Sequence, residues 1–332
     1  MKIRTLSIIG IAGLLAVIIS TVSPSATVGA QTTTTPGAQA LEIGPPLLNL
    51  SANPGDTIHA TISLRDVSSG SLVVTNQIND FVASGEDGTP KIILDDTIPS
   101  TSLKSWINPI AQLTLKPKEV KTISLAISVP ANASPGGYYG VVRFTGTPPE
   151  LNGTGVSLSA SLGSLILLKV NGQAKESLSV EQFFADNNGK AGTLFQSAPI
   201  TFVERINNTG NIHEQPAGVV TITDMFNNKI VTLGVNQPPH DILPQSVRRF
   251  ESILDSSNIG NRILFGYYKA DLSISYGSNK QVVTSSIGFW VIPYTLIIVI
   301  IVALIGGFII LRILIQRYNR HIISRAQKTN RK

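Results

Sequence analysis

The sequence has no cysteine among its 332 residues. This absence excludes disulfides, thiolate metal sites, a cysteine nucleophile and a lipid-modified N-terminal cysteine. Charge is also scarce, because Asp, Glu, Lys and Arg make up only 14% of the chain, against 42% apolar residues. A chain of this composition has enough apolar side chains to fold over most of its length.

Histidine is rare as well, and the chain has only His59, His213, His240 and His321. No two of them are close enough in sequence to form a zinc pair on one structural element. The motifs of serine hydrolases, zinc peptidases and phosphate-binding loops are also missing. We therefore predict that the protein is not an enzyme and that it has no catalytic, cofactor-binding or metal-binding residues.

Acidic loops keep calcium binding open as an alternative. Residues 86–88 with 95–96, and residues 186–189, offer the oxygen ligands that calcium prefers. The same residue types suit tight turns, in which Asp and Asn side chains bond to their own backbone. We favour the turn interpretation, because neither stretch completes a calcium-loop pattern.

The net charge of +6 is concentrated at the two ends of the chain. Nine of the 26 basic residues lie in the first four residues or after residue 311, while all 20 acidic residues lie between these ends. The middle therefore carries 17 basic and 20 acidic residues, a net charge of −3. It shows no basic face with interleaved aromatic residues, so we predict no nucleic-acid binding.

The N-terminus has the order of a secretory signal. Lys2 and Arg4 precede an uncharged run over residues 6–22, and small residues follow up to Ala30. We predict a signal peptide over residues 1–30, with an uncleaved anchor as the alternative, and a flexible spacer over residues 31–40. An exported chain without disulfides fits a bacterium or an archaeon better than a disulfide-forming secretory route.

The C-terminal region predicts a membrane anchor. No charge occurs over residues 281–311, and the strongly aliphatic part is long enough to cross a hydrocarbon core of about 30 Å as a helix. We predict a transmembrane helix over residues 289–314 and a basic cytoplasmic tail over 315–332, with everything before the helix outside the cell. The aromatic residues and the first basic residues that flank the span are Trp290, Tyr294, Arg312 and Arg317.

Between the two ends the apolar residues alternate with polar residues. Residues 57–64 and 120–129 show this period of two, which indicates half-buried strands. Turn-forming clusters separate such segments at short intervals, as in a sandwich or a barrel. We predict an all-β ectodomain of two tandem immunoglobulin-like β-sandwiches, over residues 41–172 and 173–288.

The two halves resemble each other. In each half a proline precedes a strand, Pro117 in the first and Pro244 in the second, and a Gly-Tyr pair follows 20 to 23 residues later. These pairs are Gly137-Tyr138 and Gly266-Tyr267. Sandwich domains often place a tyrosine at the start of a strand after such a corner, with its hydroxyl bonded to nearby backbone. We therefore assign these residues a structural role.

At these residues the sequence resembles the WxL-interacting proteins of Gram-positive cell surfaces. The first half resembles their peptidoglycan-binding domain around Trp106 and over residues 113–119, 127–130 and 136–144. The second half resembles the sandwich that follows it in such proteins. The likeness is carried there by Asn208, Gly210, Asn211 and Pro216, with residues 243–244, 265–268 and 289–293.

The resemblance implies a cell-surface protein that contacts peptidoglycan through the first domain and another surface protein or a host protein through the second. Neither Trp106 nor Trp290 begins a Trp-x-Leu pattern, so the chain is not the Trp-x-Leu partner itself. The leading hypothesis is a membrane-anchored binding scaffold. The alternative is a secretion or assembly accessory that binds partner strands along a sheet edge.

Overall fold

The computed structural model describes residues 41–147, 161–260 and 262–329, with side chains up to residue 320. The predicted signal peptide and spacer lie outside the described residues. The described part is mostly β-structure with one long apolar helix at its C-terminal end, as predicted from the alternation and the apolar run.

The first half, up to residue 170, forms two sheets. Its strands are β1 (Leu41–Gly44), β2 (Leu47–Ala52), β3 (Thr57–Asp66), β4 (Leu72–Ser84), β5 (Thr89–Ile92), β6 (Leu113–Leu115), β7 (Val120–Ser128), β8 (Gly136–Thr147) and β9 (Ser161–Val170). One sheet has the order β1-β3-β7, and the other has the order β2-β9-β8-β4-β5, with β6 also paired to β4. A short 3-10 helix spans Lys104–Trp106.

The second half forms two further sheets. Its strands are β10 (Leu178–Asn187), β11 (Lys190–Ala191), β12 (Leu194–Phe195), β13 (Ile200–Asn208), β14 (Ala217–Asp224), β15 (Lys229–Val235), β16 (Ser246–Leu254), β17 (Gly266–Tyr276) and β18 (Gln281–Val291). The sheet orders are β11-β10-β13-β16 and β12-β18-β17-β14-β15. A short helix, α1 (Ser256–Ile259), lies between β16 and β17.

Each half has its own hydrophobic core. In the first half the alternating strands point residues such as Ile62, Leu125 and Phe144 inward. In the second half Phe202, Leu272 and Phe289 occupy the equivalent interior. A smaller cluster around Phe81 and Tyr139 lies on the outer face of the β2-β9-β8-β4-β5 sheet, where residues of the second half cover it. The described residues of both halves belong to one compact unit.

The last element is α2 (Tyr294–Thr329). Within Tyr294–Arg320 an 18-residue window has a mean hydropathy of 3.1 and none of that window is buried, so the helix is long and apolar enough to cross a membrane. It begins five residues later than the predicted residue 289, because residues up to Val291 extend β18. Backbone pairing with β17 and β12 holds those residues in the sheet.

Candidate functional site

The Asn-rich motif of the second half is a closed loop held by one buried side chain. The amide nitrogen of Asn208 donates to the carbonyl oxygens of Ile212 and Ile242, at 2.8 and 2.9 Å. Its amide oxygen accepts from the backbone N–H of Gly210 at 2.9 Å. A side chain at Gly210 would come within 2.3 Å of the Lys175 carbonyl oxygen, which explains the glycine.

This loop contacts the first half directly. The N–H of Gly137 donates to the carbonyl oxygen of Asn211 at 2.8 Å, and the Asn211 amide nitrogen donates to the carbonyl oxygen of Pro135 at 3.0 Å. The Gly-Tyr motif of the first half, which contains Gly137, is therefore in contact with the Asn-rich motif of the second half, which contains Asn211. We call this contact region, formed by residues 135–139 and 208–214, the junction.

The junction also contains a buried polar pair. The Tyr139 hydroxyl lies 3.3 Å from Nδ1 of His213, and the two rings meet edge to face. Burial lowers the pKa of His213 and raises the pKa of the Tyr139 hydroxyl, so both groups are neutral at pH 7. Sequence patterns gave no sign of this pair, because its members are 74 residues apart.

Charged residues join the halves beside the junction. The Arg205 guanidinium donates to both carboxylate oxygens of Glu86, with Nε to Oε2 at 2.8 Å, and this hydrogen bond lowers the pKa of Glu86. The guanidinium of Arg248 lies so close to Gly88 that a β-carbon there would collide with it. An apolar cavity of about 220 Å³ is lined by Gly88, Leu165, Arg248 and other residues of both halves.

The prolines singled out from the sequence open equivalent turns. Pro117 is followed by Lys118 with a positive φ of 65°, and Pro244 by Gln245 with a φ of 56°. Pro216 contributes a carbonyl oxygen that accepts from the Asn236 side chain at 2.6 Å. These three residues therefore shape the backbone, and they are spread over separate turns.

The tyrosine pairs differ between the halves. Tyr138 packs on Trp106 with ring centroids 4.2 Å apart, and its hydroxyl donates to the carbonyl oxygen of Ser134 at 3.0 Å. In the second half the equivalent backbone contact belongs to Tyr268, whose hydroxyl accepts from the N–H of Phe265 at 3.1 Å.

The predicted tyrosine of that second pair, Tyr267, lies instead on the outer face. Its hydroxyl covers Gly288, where a β-carbon would come within 2.0 Å of it, and its ring packs against Trp290. The adjacent strand register explains this difference, because Tyr267 is opposite Trp290 and Tyr268 is opposite the buried Phe289.

The acidic loops follow turn geometry. Asp87 accepts from the N–H and hydroxyl of Thr89, which lowers the pKa of the Asp87 carboxyl. Asp95 accepts from the N–H of Thr97, and Asp186 accepts from the N–H of Gly189. Within the described residues, no group of three or more His, Asp or Glu residues is placed to hold a metal ion.

A buried carboxyl lies inside the core of the second half. Glu204 is fully buried on β13 between its cross-strand neighbours Phe183 and Phe250. Neither carboxyl oxygen has a hydrogen-bond partner among the described residues. Burial raises the pKa of Glu204 to about 8, so the group is mostly protonated at pH 7.

The outer edge of β7 is open. The strand pairs with β3 on one side, and on the other side the N–H of Asn108 donates to the carbonyl oxygen of Ala126 at 3.0 Å. Because backbone groups of alternate residues point the same way, Thr122 and Ser124 also point their N–H and C=O groups outward. No hydrogen bond to another described residue takes up these outward backbone groups.

A groove of about 420 Å³ runs along this edge. The wall opposite β7 is formed by residues 108–113. This segment lies beside β7 only at Asn108, then diverges from the strand and continues into β6 of the other sheet. Pro109 has no N–H to offer the edge, and the carbonyl oxygen of Ile110 accepts from the Asn76 side chain at 2.8 Å instead. We call the outward backbone of residues 122–126 with this groove the β7 slot.

No protein-family model and no curated protein sequence matches this chain. Among solved structures it is similar to the Pseudomonas aeruginosa CupB2 chaperone, at 9% identity and a TM-score of 0.35 over 75% of this chain and 100% of that one. It is also similar to the Salmonella enterica SafA pilin in complex with the SafB chaperone, at 10% identity and a TM-score of 0.37 over 75% and 97%. The E. coli chaperone DraB is similar at 13% identity and a TM-score of 0.33 over 76% and 97%. Likeness at this level is too weak to assign a fold or a function.

Proposed function

We propose that the protein is a single-pass membrane protein whose two tandem immunoglobulin-like sandwiches lie outside the cell and bind a partner protein by accepting an extended segment in the β7 slot. The observation that carries this proposal is the unpaired outward backbone of Thr122 and Ser124 beside a groove. An added strand gains affinity from main-chain hydrogen bonds to such an edge and gains specificity from side-chain contacts beside it.

The dimensions of the slot suit one strand. Residues 122–126 extend over about 13 Å at the usual rise of a strand, which accommodates a short extended segment. The side chains of Thr122 and Ser124 are exposed and small, so they leave the edge accessible. Lys121 stands at one end of the slot, where a charged side chain discourages unselective pairing of edges.

The rest of the molecule supports a scaffold role. Helix α2 begins two residues after β18, so the ectodomain is held without a long stalk. The junction ties the second half to the first through Asn211. These features support a protein that holds its partner at a defined place above the membrane. Peptidoglycan binding by the first half, expected from the resemblance, stays a prediction.

The test uses a photo-crosslinking amino acid at Thr122 in the full chain, expressed in cells that contain its natural surface proteins. We expect a discrete protein adduct at Thr122. The control position is Arg65, which is exposed on β3 at a point where β1 and β7 pair with the strand on its two sides. Adduct formation of equal yield at Arg65 would contradict the proposal.

Two variants of one residue sharpen the result. Ser124→Pro removes an outward N–H and obstructs the edge, whereas Ser124→Ala keeps the N–H. We expect the proline variant to lower the adduct yield about tenfold, the effect of losing roughly 1.4 kcal/mol, and the alanine variant to keep it. Circular dichroism of both variants checks that the sheet is intact.

Co-sedimentation of the same proteins with purified cell wall provides the second arm. Wall binding that survives Ser124→Pro, together with no adduct at Thr122, would refute strand acceptance at β7 and favour the peptidoglycan prediction.

A further inference from the structure

Exposed apolar side chains collect at one end of the second half. They lie where β12 and β18 end, where β17 begins and in the turn after β14, which is the end at which α2 leaves the sheet. Several are more than half exposed, among them Phe226 at 78% and Ile263 at 84%. We call this set the apolar rim: Leu194, Phe226, Ile263, Phe265, Tyr267 and Trp290.

Strand pairing places the members of the rim side by side. Trp290 is paired with Leu194 on one side and with Tyr267 on the other, and the Tyr267 and Trp290 rings are 5.4 Å apart. Phe265 immediately precedes Gly266, which pairs with Val291 at the very end of β18. The rim is therefore one continuous surface around the start of α2.

The turn that carries Phe226 is well ordered by its own hydrogen bonds. The Asp224 carboxylate accepts from the backbone N–H groups of Phe226 and Asn228, at 2.9 and 2.8 Å. A hydrogen bond from the Asn228 side chain at 3.0 Å, together with these two backbone bonds, lowers the pKa of Asp224 and satisfies its charge within the turn. The turn thus presents an aromatic side chain outward on a rigid backbone.

The short connection between β18 and α2 fixes the position of the rim relative to the helix. Only Ile292 and Pro293 separate β18 from α2, and the hydroxyl of Thr295 donates to the Gln196 side chain at 2.9 Å. At about 1.5 Å per residue, the distance from Tyr294 to Arg312 along the helix is about 27 Å, close to the thickness of a hydrocarbon core. The outer boundary of that core therefore lies near Tyr294.

We propose that the apolar rim lies in the headgroup region of the membrane, so that the second half is docked on the lipid surface as well as anchored by α2. This proposal rests on the proposed membrane span. The occupant is lipid, because the rim adjoins the segment that enters the bilayer and its Trp290 lies four residues before Tyr294, where α2 begins. Aromatic side chains favour this interfacial depth, and the exposed basic residue Arg262 suits lipid phosphates.

The opposite side of the same end is polar. Asn188 and Lys190 are exposed in the turn between β10 and β11. An uneven end of this kind tilts the second half toward the membrane on the side of the β12-β18-β17-β14-β15 sheet. Docking in one orientation follows from this difference, whereas a helix anchor alone would allow the ectodomain to turn freely.

The absence of cysteine makes a direct test possible in the full chain. Single cysteines are introduced as Phe226→Cys, Phe265→Cys, Ile98→Cys and Ile300→Cys, labelled with a nitroxide and reconstituted into vesicles of phosphatidylcholine and phosphatidylglycerol. Collision with oxygen, which concentrates in lipid, and with a water-soluble nickel chelate reports the depth of each label. Ile98 is 79% exposed in the first half and is the aqueous control.

We expect the oxygen-to-nickel ratio at positions 226 and 265 to exceed that at position 98 by about threefold, as for interfacial residues. Labels at 226 and 265 that match position 98, while position 300 reports a lipid interior, would overturn the docking and leave the span intact. An aqueous result at position 300 would overturn the span and the docking with it.

Discussion

The two Gly-Tyr-Tyr elements begin equivalent strands, yet they contact different surroundings. In the first half the inward tyrosine is Tyr138, and the outward Tyr139 is 2% exposed because the second half covers it. In the second half the inward tyrosine is Tyr268, and the outward Tyr267 is 37% exposed beside Trp290. The same end of each sandwich thus faces the next part of the chain, which is the second half for one and the start of helix α2 for the other.

This comparison shows that a short motif does not decide which of its residues faces the core. A shift of one residue in a strand exchanges the two faces of the sheet. The inward tyrosine makes the backbone hydrogen bond in both halves, although it is the first tyrosine in one pair and the second in the other. The outward tyrosine is available for the contact that distinguishes the halves.

The largest loss of stability that distinguishes the two halves is expected from a substitution in the junction loop. Asn208→Ala removes hydrogen bonds to two buried carbonyl oxygens and one N–H, so we expect a loss of about 3 kcal/mol in the free energy of unfolding of the second half. Urea unfolding of the detergent-solubilised chain measures it. Asn207→Ala is the matched control, and an equal loss in both variants would contradict the assigned role of Asn208.

The two halves also differ in how they bury acids. Asp80 accepts hydrogen bonds from Ser102 and from the N–H groups of Leu103 and Lys104, whereas Glu204 has no partner among the described residues. Because the pKa of Glu204 is raised to about 8 in the folded state, the unfolded chain binds fewer protons between about pH 4.5 and 8. The stability of the second half should therefore fall as the pH rises through this window.

Glu204→Gln should remove the part of that dependence above about pH 7, whereas Glu214, whose pKa burial raises to about 7, keeps a slope at lower pH. The slope in the wild-type chain is at most about 1.4 kcal/mol per pH unit for one group, and urea unfolding at a series of pH values between 5 and 8 measures it. Glu42→Gln, on the exposed side of β1, is the control and should keep the slope. A slope of wild-type size above pH 7 in Glu204→Gln would show that another group causes it.

A smaller effect is expected from the ion pair that joins the halves. Glu86 and Arg205 are partly exposed, so a double-mutant cycle of Glu86→Ala and Arg205→Ala should give a coupling of about 1 kcal/mol. The pair Lys269–Asp271 lies within one strand and is more exposed, so its coupling should be about half as large or less. A coupling near zero for Glu86 and Arg205 would mean that this pair does not help to hold the halves together.

The smallest expected loss of stability compares the two outward tyrosines, Tyr139 and Tyr267. Tyr139→Phe removes the contact with His213 and should cost about 0.5–1 kcal/mol, because it leaves a buried ring nitrogen unpaired. Tyr267→Phe should cost less, since Tyr267 is 37% exposed and its ring keeps the contact with Trp290. Thermal unfolding of both variants tests this ranking, and a larger cost for Tyr267→Phe would reverse our assignment of the two faces.

Much of the secondary structure was predictable from local patterns. The alternation over residues 57–64 and 120–129 falls within β3 and β7, and the apolar run after Pro293 falls within α2. Such patterns are local because the side-chain period of a strand or a helix depends only on backbone geometry. The predicted start of the helix at residue 289 differed from the observed Tyr294, because pairing with neighbouring strands extends β18.

The candidate sites were less predictable. Sequence analysis singled out Gly137 and Asn211 separately, but their hydrogen bond depends on how the two halves pack. The β7 slot had no sequence signal, since whether a strand lies at the edge of a sheet depends on which other strands pair with it. The apolar rim was missed because its residues belong to separate turns and strand ends.

The sequence by itself determined the strands, the long apolar helix, the charge at both ends and the absence of cysteine, because each of these depends only on which residues occur and in which order. Only the tertiary structure decided which tyrosine faces inward, which edge of a sheet stays open and which exposed side chains surround the start of α2. These features depend on contacts between residues that are far apart in the chain, and a local sequence pattern carries no information about such contacts.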